Sequence, residues 1–446
     1  MTKVFILGID GAPPELIFDK WLDELPNIKK LVKEGCYREV ESSMPPLTCC
    51  AWPSFFTGRG TGDSGLFDYA YRINHEYSPS EIISSENIRH KSFWEILSEK
   101  GKKSIIFGVP MTWPIKPFDG VMITGFMTPG TDCEYAFPAE LRGELRDFLG
   151  RGYMIDIEEY KNLSKEGLKE KVNDMTKMHF QVIKYLIQNK PWDLFFGVLI
   201  GSDRMNHNFW RFFDEKHGKY EQNSPYKNEL KDYYKLIDKE LGRVIELLDK
   251  DTIIIVCSDH GTTRLHNRIN LGDWLIKEGY LVLKEPIKEK CRLNPGMVDW
   301  KKTRVFAFGT YEGHIFINLK GREPEGIVEE KDADELIKEL EGKLKEIRGD
   351  DGKELNTNVF IRKKDYDGEA RDVAPDMMIY FDNLEYGSNA SIIGNENLWS
   401  PMIAAGSDDA VHSREGIFIM KDGKCKGRKE KINIKDIAEV ILSKFN

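Results

Sequence analysis

Three apolar runs of strand length each lead into an aspartate. Asp10 follows "VFILGI", Asp203 follows "FFGVLIGS", and Asp259 follows "IIIVCS". Two of them carry a histidine at short range: His207 lies four residues after Asp203, and His260 directly follows Asp259. If a helix begins at "DRMNH", the first spacing puts both side chains on one face. A third histidine, His412, precedes the last strand-like run, "GIFIM". Alone, each has a simpler reading, since Asp-Gly after a strand is usually a turn and a lone His412 an ordinary loop residue. Together, three carboxylates and three imidazoles are ligand types for two borderline ions. Zinc takes both kinds, and a carboxylate-rich set also admits manganese or iron. Two such ions side by side clamp the entering and leaving oxygens of a phosphoryl transfer. His75, His90, His179 and His217 have no such partners and read as structural or surface residues, with His266 and His314 intermediate.

A nucleophile has several candidates in "PPLTCCAWPSFFTG", Pro45–Gly58. Cys49 and Cys50 are intrinsically more reactive than Thr48, which needs something to take its proton. Pro53 fits a helix only in its first turn or so, which predicts a helix start close to Thr48. Such an N-terminus favours a bound phosphate. Around this stretch and the aspartates lie Trp52, Phe55, Tyr69, Trp113, Asn206 and Trp210. The aromatics could stack on a base or line a pocket, or simply pack in the core, and Asn206 could donate to a phosphate oxygen.

These residues need elements to bring them together. Val4–Ile9, Ser104–Phe107, the run before Asp203 and the run before Asp259 are short apolar segments bounded by turn residues, as buried parallel strands are. Helical spacing holds near Phe93–Leu97, within Pro225–Asp249 and near Lys435–Phe445, and a strand is expected over Gly416–Met420. Alternating helices and buried strands predict an α/β sheet covered on both faces, with the aspartates at the carboxyl ends of its strands. From about Tyr280 to Ala374 the texture changes to two shorter strands, a charged helix "KDADELIKELEGKLKEI" and polar loops. The expected organisation is one catalytic α/β domain over 1–446 with 280–374 as an inserted subdomain or lid.

The 446 residues are 40% hydrophobic, enough for a large core, and 31% charged with a net charge of −9. Without a basic block, duplex nucleic acid is not an expected partner. No apolar run approaches membrane length, and the opening "MTKVFILGIDGA" reads as a buried strand rather than a leader. The seven cysteines are scattered and odd in number, with no CxxC pair. They read as reduced thiols of a cytoplasmic protein.

With these residues in view, the chain resembles the alkaline phosphatase superfamily. The match is to its type I phosphodiesterase/nucleotide pyrophosphatase branch, within the predicted phosphohydrolase/phosphomutase group of prokaryotes. The resemblance runs nearly end to end, through "ILGIDGA", "PPLTCCAWPSFFTG", "GVPMTWP", "ITGFMTPG", "SDRMNHNFW", "SDHG", "NLGDWLIKEGYL", "INLKGREPEGIV" and "VHSREGIFI". It implies a three-layer sandwich with a mostly parallel sheet. It also implies two divalent metal ions, one held by Asp10, Thr48, Asp259 and His260, the other by Asp203, His207 and His412. Thr48 is the implied nucleophile, through a phospho-threonine. The family often has a proline where Cys50 stands and a histidine where Ser64 stands, which leaves the chemistry intact but alters loop contacts. Neither cysteine starts the C/S-x-P-x-R pattern of sulfatases. The implied activity is metal-dependent hydrolysis of a nucleotide or other small phosphoester. The alternatives are a monoesterase or phosphomutase with the same site, and a non-catalytic metal-binding homologue.

Overall fold

The computed structural model describes residues 2–309, 311–400 and 408–446. The chain forms two compact units, one of 1–60, 84–262 and 412–446 and the other of 61–83 and 263–411. The second unit contains the expected 280–374 segment and extends beyond it on both sides.

The first unit is built on a ten-stranded sheet. Its main strands are β1 (Val4–Ile9), β2 (Cys36–Glu41), β3 (Ser104–Val109), β4 (Gly120–Thr124), β5 (Leu194–Leu199), β6 (Ile253–Cys257) and β7 (Glu415–Lys421). Across the sheet they run β2-β7-β6-β1-β5-β3-β4, with two-residue strands at the edges. The block from β6 through β4 is parallel. Every residue of β1, β3 and β5 is buried, as expected for parallel strands covered on both faces. β7 enters antiparallel between β6 and β2, so the sheet is mixed.

Four helices matter most here: α1 (Thr48–Thr57), α2 (Lys165–Asn189), α3 (Gly201–Phe209) and α4 (Glu229–Ile245). α2 was not anticipated, although its buried Leu168, Val172, Met175, His179, Ile183 and Leu186 follow helical spacing. α1 starts at Thr48 as expected, but Pro53 lies inside the helix rather than in its first turn. Proline has no N–H to offer the Cys49 carbonyl one turn back, and the helix ends shortly afterwards at Gly58 in the left-handed region.

One expectation fails outright. Cys36 and Cys425 form a disulfide, with Cα atoms 5.2 Å apart across a sequence separation of 389. The pairing of β2 with β7 creates that proximity: Cys36 faces Met420, and the chain turns back so that Gly427 pairs with Cys36 from the other side. Spacing along the sequence could not reveal it. Such a bond suits an oxidising compartment or a heat-adapted cytosol rather than uniformly reduced thiols. Among the described residues, no helix is long and apolar enough to cross a membrane.

The second unit has its own core. A four-stranded antiparallel sheet runs Val305–Phe308, Gly313–Ile317, Met377–Tyr380, Asn358–Ile361. The helix Glu330–Lys345 buries Ala333, Leu336, Ile337, Leu340 and Leu344 and leaves its charges outside.

Candidate active site

Strand order explains how distant residues meet. β1 lies between β5 and β6, parallel to both, so Asp10, Asp203 and Asp259 emerge at one sheet edge. β2 is antiparallel to β7, and β7 to β6. The carboxyl end of β2 therefore points to the same edge, and the loop beyond it leads into α1 at Thr48. β7 runs the opposite way, which starts it at that edge just after His412. All seven expected residues belong to the first unit. Each is at most 2% exposed.

Each aspartate has one oxygen held by a protein donor. Trp52 Nε1 donates to Asp10 Oδ2 at 2.7 Å, Arg204 Nη1 to Asp203 Oδ2 at 2.8 Å, and the Gly11 amide to Asp259 Oδ1 at 3.3 Å. The other oxygens face imidazoles. Asp203 Oδ1 lies 3.2 Å from His207 Nε2 and 3.5 Å from His412 Nε2. Asp259 Oδ2 lies 3.2 Å, and Asp10 Oδ1 3.7 Å, from His260 Nε2. Asp203 Oδ1 and Asp259 Oδ2 are buried without a hydrogen-bond partner, so these approaches are close but lack hydrogen-bond geometry.

The backbone sets the tautomers of two rings. His260 Nδ1 lies 2.9 Å from the Gly261 carbonyl and His412 Nδ1 2.8 Å from the Pro46 carbonyl. A carbonyl only accepts, so each Nδ1 carries the hydrogen and a neutral ring turns a bare Nε2 inward. Burial, reinforced by His412, holds His260 well below the usual histidine range, and burial lowers His412 as well. Burial and neighbouring carboxylates raise Asp10 and Asp259. Burial alone would raise Asp203 too, but His207, His412 and Arg204 hold it low. Imidazole nitrogens of His207, His260 and His412 thus converge on buried oxygens of Asp10, Asp203 and Asp259, a donor set whose buried charge a divalent cation would neutralise.

Two sets of described residues could hold an ion: Asp203, His207 and His412, and Asp10, Asp203 and His260, with ligand atoms in each set within 4.8 Å of one another. Asp203 is common to both. Asp259 approaches the second set through His260, as does Thr48, whose Oγ1 is 3.2 Å from His260 Nε2 and 3.5 Å from Asp10 Oδ1. The donor chemistry fits a divalent ion, with imidazole nitrogens, carboxylate oxygens and outer hydrogen bonds that orient them.

The other candidates stand elsewhere. Cys49 and Cys50 are wholly buried in α1, their sulfurs 3.8 Å apart. Asn206 donates to the Gly11 carbonyl at 2.9 Å and to Thr262 Oγ1 at 3.0 Å, and accepts from Tyr234 at 3.3 Å. It therefore ties the strand-end loop together rather than facing outward. Phe55 stacks on Phe196, and Trp210 donates to Asp214 at 2.9 Å. Trp113 is half-buried, and Tyr69 belongs to the second unit, as do His266 beside Glu385 and His314 beside Asp68.

Sequence reasoning missed the residues that hold this loop. Ser202 donates to the Asp10 carbonyl at 2.7 Å, Thr262 to Gly11 at 2.7 Å and Ser258 to Ala12 at 2.9 Å. Gly11 has φ +68°, and a Cβ there would come within 3.1 Å of Thr262 Oγ1, so glycine is needed. The available signal was position alone, since each hydroxyl lies within two residues of a strand-end aspartate or histidine.

A sequence model of the family described as Type I phosphodiesterase / nucleotide pyrophosphatase matches residues 4–391. No curated protein matches the chain. Among solved structures, the phosphonoacetate hydrolase of Sinorhizobium meliloti 1021 in complex with phosphonoacetate is 14% identical. The alignment covers 100% of this chain and 96% of that one, with a TM-score of 0.62. An inactive form of murine ectonucleotide pyrophosphatase/phosphodiesterase 5 in complex with AMP is 15% identical, with 100% and 95% covered and a TM-score of 0.55. These two likenesses are of fold.

Proposed function

The chain belongs to the type I phosphodiesterase/nucleotide pyrophosphatase family, and on that footing we propose that it hydrolyses a nucleotide or other small phosphodiester with Thr48 as nucleophile. Asp10, Thr48, Asp259 and His260 hold one divalent ion in this reading, and Asp203, His207 and His412 the other. The observation that carries it is the convergence of buried ligand atoms from Asp203, His207 and His412, and from Asp10, Asp203 and His260, within 4.8 Å of one another in each set. Bound divalent ions, zinc foremost and manganese or iron next, supply the positive charge that neutralises this cluster and favours an ionised hydroxyl. AMP and phosphonoacetate, the molecules bound in the two similar structures, support a small phosphorus-containing substrate.

The chain's own residues do the rest. The start of α1 presents Thr48 Oγ1 between Asp10 and His260, and the amino end of that helix favours an approaching phosphate. Attack forms the Oγ1–phosphorus bond as the Thr48 hydroxyl proton is given up to solvent, and breaks the bond to the leaving oxygen, which departs with its electron pair and takes up a proton from water. Water then cleaves the phospho-threonine and restores the hydroxyl.

Elemental analysis combined with turnover of bis-p-nitrophenyl phosphate against p-nitrophenyl phosphate tests the reading. Thr48→Ala is expected to retain its metal and lose turnover, while Cys49→Ala keeps most of it. Full activity of Thr48→Ala would remove the covalent step, and a marked preference for the monoester would favour a monoesterase or mutase.

A further inference from the structure

We propose that Trp52 is a positioning residue for this reaction, acting through Asp10. The inference rests on the reading of Asp10 as a metal ligand and Thr48 as nucleophile. Thr48 and Trp52 are one turn apart on α1, so their side chains share a face. Both reach the same carboxylate. Trp52 Nε1 donates to Asp10 Oδ2 at 2.7 Å, and Thr48 Oγ1 lies 3.5 Å from Asp10 Oδ1. The indole thereby decides which oxygen of Asp10 faces the nucleophile and His260.

The strand is shaped to receive that indole. Gly8 and Asp10 project to the same face of β1. A Cβ on Gly8 would fall 2.4 Å from Trp52 Cη2 and 2.9 Å from Val198 Cγ2. The ring therefore lies along β1, its benzo edge over the bare Gly8 backbone and its N–H on Asp10 two residues on. Phe55 packs against it edge-on with centroids 5.3 Å apart, and Phe196 lies 5.8 Å away. Trp52 itself is 0% exposed. A base-stacking role needs an accessible face, which this ring lacks. Its one polar atom, which a buried indole must pair, is directed at the Asp10 carboxylate.

A fixed carboxylate binds an ion better than one free to rotate, and partners of this kind typically change metal affinity or activity 10–100-fold, roughly. The test titrates zinc into chelator-stripped protein by competition with an indicator, alongside kinetics on bis-p-nitrophenyl phosphate. Trp52→Phe is expected to weaken zinc at one site by about 10–100-fold and to lower kcat with little change in KM. Phe55→Leu disturbs the same aromatic packing without touching the N–H, and is expected to keep wild-type zinc affinity. Should Trp52→Phe fail to melt cooperatively, benzothienylalanine at position 52 keeps the shape and lacks the donor. Wild-type zinc affinity in the variant lacking the N–H, or an equal loss in Phe55→Leu, overturns the proposal. If Thr48→Ala retains turnover, the nucleophile reading fails, and the zinc titration still judges Trp52 independently.

Discussion

Replacing Arg204 with methionine should destabilise the first unit strongly in chelator and much less in zinc. The guanidinium is 5% exposed. It donates to Asp203 Oδ2 at 2.8 Å and to both oxygens of Asp156, at 2.6 and 3.2 Å. Phe126 and Tyr160 lie against it at 4.9 and 4.7 Å. Methionine keeps most of the apolar contact but leaves Asp203, itself 2% exposed, without the guanidinium that donates to its Oδ2. Orphaning one member of a buried pair costs about 3–5 kcal/mol. Asp156, whose side chain is 22% exposed, adds less than about 1 kcal/mol because water screens it. At about 2 °C per kcal/mol, the low end for large domains, the melting temperature should fall by roughly 6–10 °C in chelator. If Asp203 is a ligand, saturating zinc supplies the missing positive charge, and the gap from wild type should narrow. Thermal melts by circular dichroism, with EDTA and with zinc, measure both. An unchanged melting temperature in EDTA would refute the burial argument. A deficit of equal size with and without zinc would refute the placing of Asp203 against the ion.

Two further outcomes follow from features away from the site. Glu312 is 2% exposed, and burial, reinforced by Asp68, pushes its carboxyl from its ordinary value near 4.5 up to about 8. The folded state therefore keeps a proton that the unfolded chain loses. Its contribution to stability is complete below about pH 4.5 and fades as pH rises toward about 8. Glu312→Gln should flatten that part of the pH profile, read as a smaller drop in melting temperature between pH 5 and pH 8.5. An unaltered profile would discount Glu312 as its source. For the Cys36–Cys425 bond, which closes a loop of 389 residues, the loop-entropy model gives about 6 kcal/mol, against about 0–5 kcal/mol found for disulfides in general. Cys36→Ser should melt lower than the oxidised wild type and be indifferent to dithiothreitol, whereas reductant should lower the wild type toward it.

What could be read from the sequence is what strand topology alone determines. "VFILGI", "FFGVL" and "IIIVC" are strands because they are unbroken apolar runs. The carboxyl ends of parallel strands share an edge whatever their order, so Asp10, Asp203 and Asp259 could be grouped without knowing which strands are neighbours. His412 was harder, because it precedes its strand. It joins the others only because β7 is antiparallel, a direction the sequence does not carry.

Orientation within the site was out of reach for a different reason. Which oxygen of each aspartate turns inward is chosen by a donor brought there by the fold: the indole from 42 residues away for Asp10, the neighbouring guanidinium for Asp203, the Gly11 amide for Asp259. Trp52 shows why residue type misleads. An aromatic beside a nucleophile suggests stacking on a substrate, and only the missing Cβ of Gly8, whose place the ring takes, and the 2.7 Å contact to Asp10 reveal where the ring goes. The same holds for Asn206, whose amide suits a phosphate oxygen but is saturated by Gly11, Thr262 and Tyr234. Ligand types can be recognised from chemistry and spacing. The donors that aim them are generic residues, and they acquire that role only from the places the sheet gives them.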